Sequence, residues 1–252
     1  MPKAAIISDI HANLEALTAV LDDIRGQGIE DVFCLGDIVG YGPDPVACTD
    51  RVRETCRATV CGNHDEALIK GAWGFTPHAR QAIDWTRKVM KPGLLRWSGR
   101  ARWRFLETLP LTHTWEGYLL VHGSPRNPVS EYILPRDVEW PQPGKFEEVF
   151  QSFSTVCFVG HTHIPGVFHE GPVFHRQPEL PETFGYEGGK MLINVGSVGQ
   201  PRDGDPRSSY LIVEDGRFRF RRVEYPWQTT RDKIRAIPEL DDRLGDRLGT
   251  GD

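Results

Sequence analysis

Asp, His and Asn cluster at the ends of five short segments: Ser8-Asp9-Ile10-His11, Leu35-Gly36-Asp37, Gly62-Asn63-His64-Asp65, Val121-His122-Gly123 and Gly160-His161-Thr162-His163. Such a mixture of oxygen and nitrogen donors suits first-row divalent ions such as Mn, Fe, Ni, Co or Zn better than Mg or Ca. Four of the segments directly follow apolar runs, Ala4–Ile7, Val32–Leu35, Leu119–Val121 and Val156–Val159, and the fifth follows the shorter Thr59–Cys61. Carboxylates and imidazoles at the ends of buried strands are costly without a partner. A metal centre repays that cost; an apolar core does not. Residues i and i+2 of a strand point to the same side, so Asp9 and His11 are expected to bind one ion together, and His161 and His163 to repeat the device. Asp37 stands alone after Gly36, and its two carboxylate oxygens suit it to bridging two ions. Asn63 offers a neutral amide oxygen and His122 a further imidazole.

The elements that must position these groups alternate at first. The pattern predicts a strand at Lys3–Ser8 and a helix at Asn13–Gly26, whose Leu14, Leu17, Val20, Leu21 and Ile24 have helical spacing. A strand at Asp31–Leu35, a helix at Pro45–Cys56 and a strand at Ala58–Cys61 follow. Alternating strands and helices indicate a parallel sheet, and ligands of such sheets gather beyond the carboxyl ends of the strands. The stretch Glu66–Trp115 breaks the alternation. It holds Trp73, Trp85, Trp97, Trp103 and Trp115 among the chain's 7 tryptophans, with amphipathic spacing at Pro77–Met90 and Ala101–Leu109. It reads as a helical insertion at about 66–115 that packs on the sheet and overhangs the site, its tryptophans forming local core. Strands are expected at Tyr118–Val121, Thr155–Val159 and Met191–Val195, and a hairpin pairs Ser209–Val213 with Phe218–Tyr225 around Asp215-Gly216. Pro125–Gly144 reads as loop. The main domain therefore spans 1–228, and 229–252 is a polar tail with a short helix and a frayed end.

At 252 residues the chain suffices for one α/β domain with a sizeable core. A net charge of −5 without a basic tract argues against a general nucleic-acid or membrane-surface binder. No apolar run approaches the roughly 18 residues of a membrane helix. The chain enters a strand almost at once, so no signal peptide is expected. Its 5 cysteines lack both framework and C-x-x-C spacing, which fits a reducing, cytoplasmic setting and excludes a thiolate metal site.

The ordered motifs D-x-H, G-D, G-N-H-D, H-G and G-H-x-H resemble those of the calcineurin-like metallophosphoesterase superfamily. The runs Gly36–Pro43 and Asn194–Arg202 are similar to those of a small bacterial and archaeal branch of stand-alone phosphodiesterases and phosphatases, although Val195 stands where that pattern has proline. The resemblance covers about Lys3 to Glu224 and implies an α/β fold of two packed sheets flanked by helices. It further implies two divalent ions, one held by Asp9, His11, Asp37 and His163, the other by Asp37, Asn63, His122 and His161. A bridging hydroxide would attack phosphorus in line. His64 would act as general acid or charge stabiliser at the leaving oxygen, and Asp65 would orient its imidazole. The implied partner is a small phosphate ester, a nucleotide or other phosphodiester; self-association is left open.

Blander roles compete for several residues. His78, His113, His169 and His175 belong to no motif and read as structural or surface groups, His78 being the best placed for the rim. Asp9 and Asp37 each precede a helix and could cap it, but two caps coinciding with the other motifs explain less. Glu15 reads as a solvated charge. Arg202 is a candidate phosphate clamp, unless Asp203 or Asp205 claims it. Arg126 is a weaker candidate, and Tyr41 could stack on a substrate ring. A protein phosphatase is the rival enzyme, but the arginine expected after Gly36-Asp37-Ile38-Val39 is absent. A non-catalytic binding scaffold would have lost His64 or several ligands, and all are present.

Overall fold

A computed structural model of the protein describes residues 3–93, 97–171 and 173–252. Its elements run β1 (Lys3–Ile7), α1 (Leu14–Gly26), β2 (Asp31–Cys34), α2 (Pro45–Thr55), β3 (Ala58–Thr59), α3 (Asn63–Lys70), α4 (Pro77–Met90) and α5 (Trp97–Glu107). They continue with β4 (Thr112–Trp115), β5 (Tyr118–Val121), α6 (Lys145–Gln151), β6 (Val156–Val159), β7 (Gly166–His169), β8 (Val173–Arg176), β9 (Phe184–Gly185) and β10 (Met191–Asn194). The chain closes with β11 (Ser208–Glu214), β12 (Arg217–Val223), α7 (Trp227–Arg235) and α8 (Arg243–Asp246). They build two six-stranded mixed sheets, ordered β3-β2-β1-β11-β12-β9 and β4-β5-β6-β10-β7-β8. β1, β2 and β3 are parallel neighbours, as are β5, β6 and β10.

Both faces of each central strand are covered, so their runs are apolar throughout rather than alternating. Ala4 and Ile6 of β1 point between the sheets, where Phe33, Phe158, Ile193, Leu211 and Phe218 meet them. Ala5 and Ile7 point the other way, onto Leu17, Val20 and Ile24 of α1. The outer face of the second sheet is closed by Phe146, Val149 and Phe150 of α6. The sheets and helices thus form the α/β sandwich that the motif resemblance implies.

Four features differ from the sequence-based expectation. The insertion is not wholly helical: Thr112–Trp115 forms edge strand β4, antiparallel to β5, because Trp115 is buried among Phe33 and its neighbours. β7, β8 and β9 lie in a stretch whose alternation is broken by Gly, Pro and charge, and their pairing partners supply what their own patterns lack. Glu15 is not merely solvated, since Lys233 and Thr230 of α7 bind it at 2.5 and 2.8 Å. The tail does not fray: Leu240, Leu244 and Leu248 are buried with Ile234, and Tyr41 and Trp85 pack on them. The side chain of Trp97 lies outside the described set, and among the described residues no helix is long and apolar enough to cross a membrane.

α1 is fixed to the sheet by a half-buried polar contact as well as by its apolar stripe. Asp23 accepts from the Tyr210 hydroxyl at 2.6 Å and from Arg221 Nη2 and Nε at 2.7 and 3.1 Å. Burial raises its pKa, but the bonds from Arg221 and Tyr210 outweigh that and hold the carboxyl below its usual 3.8. A depressed carboxyl stabilises the folded chain above its unfolded pKa, and that contribution disappears as pH falls through the folded value. Asp23→Asn is therefore expected to lower the urea midpoint at neutral pH and to converge on the parent protein only once pH has fallen through the folded value, below 3.8. A deficit that persisted unchanged into acid would show that the charge on Asp23 contributes nothing.

Candidate metal centre

The motif residues lie just past the strand ends, in turns or, for Asn63, His64 and Asp65, in the first turn of α3, rather than in the strands themselves. Asp9, His11, Asp37, His161 and His163 all adopt left-handed backbone, with φ of 54, 48, 52, 66 and 61°. That conformation costs a non-glycine residue on the order of 1 kcal/mol, and the surroundings enforce it. Asp9 N–H donates to Gly36 O at 3.1 Å and His11 N–H to Asp37 O at 2.9 Å, tying the first two turns together. Gly160 N–H donates to His122 O at 3.0 Å, and Asn194 Nδ2 holds Gly160 O and Thr162 Oγ1 at 2.6 and 2.8 Å. Side chains thus converge through tight turns, not through strand alternation. The difference is visible at Gly160-His161-Thr162-His163: His163 joins Asp9 and His11, whereas His161 joins Asp37 and His122.

Each carboxylate is half engaged by another motif. Asp9 Oδ2 accepts from His161 N–H at 3.0 Å, and Asp37 Oδ1 from His64 N–H at 2.8 Å. A Cβ on Gly62 would overlap Asp37 Oδ1, and one on Gly160 would overlap Asp9 Oδ2, so both approaches require glycine. The remaining oxygens face imidazoles: Asp9 Oδ1 lies 3.2 Å from His163 Nε2, and Asp37 Oδ2 lies 3.5 Å from His122 Nε2. Asp9 Oδ1 is buried and has no hydrogen-bond partner among the described residues.

The imidazoles are fixed from behind. Nδ1 of His11, His122 and His163 meets the carbonyl oxygens of Val39, Leu35 and Gln200 at 3.3, 2.9 and 2.5 Å, and His161 Nε2 meets Ser130 O at 3.3 Å. A carbonyl only accepts, so each outer nitrogen carries the proton and each inner nitrogen presents a lone pair. These inner nitrogens face one another, His11 Nε2 to His163 Nε2 and His122 Nε2 to His161 Nδ1, both at 3.1 Å, with Asn63 Oδ1 3.1 Å from His122. Burial depresses all four imidazoles, His161 to about 2 and His163 to about 4, so none supplies a proton to bridge the pairs at neutral pH. Burial, with Asp9 and Asp65 nearby, also drives the Asp37 carboxyl well above its ordinary value. Facing lone pairs and crowded carboxylates are the donor set of a cation site, and these residues could hold divalent metal.

His64 is the second residue of α3 and is 3% exposed. Its ring packs between Tyr41 at 4.5 Å and Phe75 at 5.1 Å, and its Nδ1 lies so close to Gly40 that a Cβ there would collide. Nδ1 has no hydrogen-bond partner among the described residues. The expected Asp65–His64 bond is therefore not made. Asp65 instead accepts from the N–H groups of Ile38, Val39 and Gly62 at 3.1, 3.4 and 3.2 Å, locking the Asp37 turn to the Asn63 turn. It lies at the third position of α3, where its side chain points back to the preceding turn.

The two candidate arginines separate. Arg202 donates to Gln200 Oε1 at 2.6 Å, and its guanidinium stands 5.8 Å from the Tyr41 ring. Asp203 and Asp205 are taken by Arg222 and Arg207, and Arg202 Nε is buried without a partner among the described residues. Arg126 is instead bound by Glu131 and Glu148, which removes it from the site. His78 pairs with Asp241 at 2.8 Å, His113 stacks on Phe33, and His169 faces His175, so none enters the centre. Sequence reasoning passed over Tyr132, whose ring stacks on His161 at 3.7 Å, because it lies in the irregular Pro125–Gly144 loop. The backing carbonyls were equally illegible, since any residue carries one.

A two-sheet sandwich with a buried Asp/His/Asn cluster where the ends of its two parallel strand sets meet defines a metal-binding phosphoesterase architecture. Residues 3–215 match the calcineurin-like phosphoesterase superfamily domain, and the chain belongs to that family. It is similar to a metallophosphoesterase from Sphaerobacter thermophilus, with 40% identity, a TM-score of 0.83 and coverage of 99% of this chain and 100% of that one. It is 38% identical over 266 residues to an uncharacterized protein of Methanocaldococcus jannaschii, covering 98% of this chain and 97% of the relative. A hypothetical protein from Pyrococcus horikoshii OT3, 20% identical and covering 100% of this chain and 99% of that one, shares the fold at a TM-score of 0.75. The family binds divalent metals, and structural neighbours such as the Sphaerobacter protein are metallophosphoesterases of the small stand-alone type.

Replacing Asp65 with alanine would strand three backbone N–H groups behind the centre. Loss of such outer support costs metal affinity about 10–100-fold, and calorimetric titration of Asp65→Ala with Mn or Zn should show it. Parent-like affinity would mean that the two turns hold their places without the carboxylate.

Proposed function

We propose that the chain is a dinuclear metal-dependent phosphoesterase whose preferred substrates are phosphodiesters. The observation that carries the reading is the pair of imidazole–imidazole contacts at 3.1 Å, each between nitrogens that lack a proton, one of them beside the unpartnered Asp9 Oδ1. Asp9, His11, Asp37 and His163 would hold one ion and Asp37, Asn63, His122 and His161 the other, with Asp37 shared. When bound, such ions supply Lewis acidity toward a phosphoryl oxygen and a hydroxide nucleophile at neutral pH.

The chain's own groups supply the rest. Asp9 and Asp37 each keep one oxygen on a backbone N–H and turn the other inward, so their ligating oxygens are oriented before substrate arrives. Burial, with Arg202 as the next contributor, keeps His64 well below an ordinary imidazole pKa. It is therefore a neutral ring, and it stabilises the developing charge on the ester oxygen by an N–H hydrogen bond rather than by proton loss. Arg202, with its spare donors beside Tyr41, binds a non-reacting phosphate oxygen. These assignments favour charge stabilisation over general acid catalysis for His64.

The test uses bis-p-nitrophenyl phosphate and p-nitrophenyl phosphate with chelator-stripped protein, before and after addition of Mn, Ni, Co, Zn or Mg. Metal-restored turnover favouring the diester is expected. His64→Ala should lower kcat by about 10²–10³-fold while metal content stays at the parent level. Asp37→Asn should lower the number of ions retained per chain. Two bound ions without turnover of either ester would defeat the hydrolase reading, and full ion retention by Asp37→Asn would defeat the bridging role.

A further inference from the structure

We infer that the cleft running outward from His64 and His161 is an aromatic slot for a flat, uncharged ring of the substrate, which makes nucleoside phosphodiesters the substrate class. The inference rests on the phosphoesterase reading above and goes beyond it. The cleft encloses about 470 Å³ and is walled by Tyr41, Trp73, Phe75 and Tyr132, with Asn63, His64 and His161 at its inner end. That volume falls among sites that enclose a small organic molecule.

Trp73 is the observation that no packing argument absorbs. The tryptophans of the insertion were expected to form local core, and Trp115 does, but Trp73 is 82% exposed. It sits in the Gly71–Gly74 turn, whose two glycines have φ of 105 and 79°, so the backbone is shaped to carry this indole out of the helical layer. On another part of the wall Tyr132, 45% exposed, lies against His161 with an interplanar angle of 26°. Tyr41 and Phe75 flank His64. Aromatic faces accept any nucleobase by stacking.

The charges on the wall argue against a second phosphate in the slot. Lys70 and Glu66 pair with each other at 2.7 Å and offer no net charge. An ester bound with its phosphorus at the histidines therefore places its organic group, not another anion, against Trp73. A methyl group in that place would leave the aromatic walls in water.

The experiment compares the trifluoroethyl phosphodiester of thymidine with methyl trifluoroethyl phosphate on metal-reconstituted enzyme, so that no ring besides the nucleoside can enter the slot. The leaving group and reacting centre are the same in both. The parent protein should prefer the nucleoside ester in kcat/KM by about tenfold or more. Trp73→Ala should abolish that preference through KM and leave the methyl ester unchanged, whereas Trp73→Phe should retain most of it. Calorimetry should show thymidine monophosphate binding tighter than methyl phosphate by a similar factor, again dependent on Trp73. Equal handling of the two esters by the parent protein, or an equal loss on both in Trp73→Ala, overturns the slot. So does a Trp73→Ala protein that keeps its preference but sediments as a smaller species, because the indole then joins copies of the chain. If neither ester is hydrolysed yet Trp73-dependent binding persists, the slot stands and the hydrolase reading fails. If binding shows no preference either, both fall.

Discussion

Imidazole nitrogens that bear lone pairs do not face each other at 3.1 Å in a protein interior unless a cation is to lie between them. Much of the rest of this molecule follows from that constraint. The lone pairs point inward because four main-chain carbonyls hold the outer ring N–H groups. The carbonyls are in place because the turns that carry them are stitched to one another by main-chain hydrogen bonds across the motifs. Left-handed backbone at five donor residues is the conformational cost of bringing so many side chains to one point. Glycines at 62 and 160 give the neighbouring turns room to approach the carboxylates.

The two-sheet architecture explains why the donors come from two separate stretches of the sequence, 9–63 and 122–163. Asp9, Asp37 and Asn63 follow β1, β2 and β3 of one sheet, while His122, His161 and His163 follow β5 and β6 of the other. Parallel strands put the carboxyl ends of each set on one edge, and sandwich packing brings the two edges together. Phe33, Phe158 and Phe218 in the shared core therefore act at a distance on the centre, since they set how closely the edges approach. The C-terminal segment adds to this. Its Ile234, Leu244 and Leu248 pack near Tyr41, the residue whose ring stands between His11, His64 and Arg202.

Asp65 and Arg126 show how a residue can be rightly noticed and wrongly employed. Asp65 stands in a motif and touches the centre's scaffold, yet its bonds run to three backbone amides and not to His64. Arg126 follows a ligand segment closely in sequence, but two glutamates lie within its reach and occupy it. In both cases the deciding quantity is which partner is nearer, and that depends on loop path.

By itself the sequence determined the donor types, the strand ends that bear them and the family, because apolar runs and turn-borne Asp, His and Asn are local signals. It also marked α1 and α4 through their amphipathic spacing, and the β11–β12 hairpin through Asp215-Gly216. Short strands such as β4, β7 and β9 were not legible, since their stability comes from partners distant in the chain. Strand alternation alone pointed His161 and His163 to one ion, whereas the motif resemblance separated them, His161 with His122 and His163 with Asp9, and these are the groups that meet. Both histidines occupy one tetrapeptide, and the closing of the two sheets decides which cluster each one faces. Tertiary structure likewise placed Trp73 at the mouth of the cleft and Trp115 in the core. Identical side chains took opposite fates because burial is a property of the surroundings, which a single stretch of sequence does not contain.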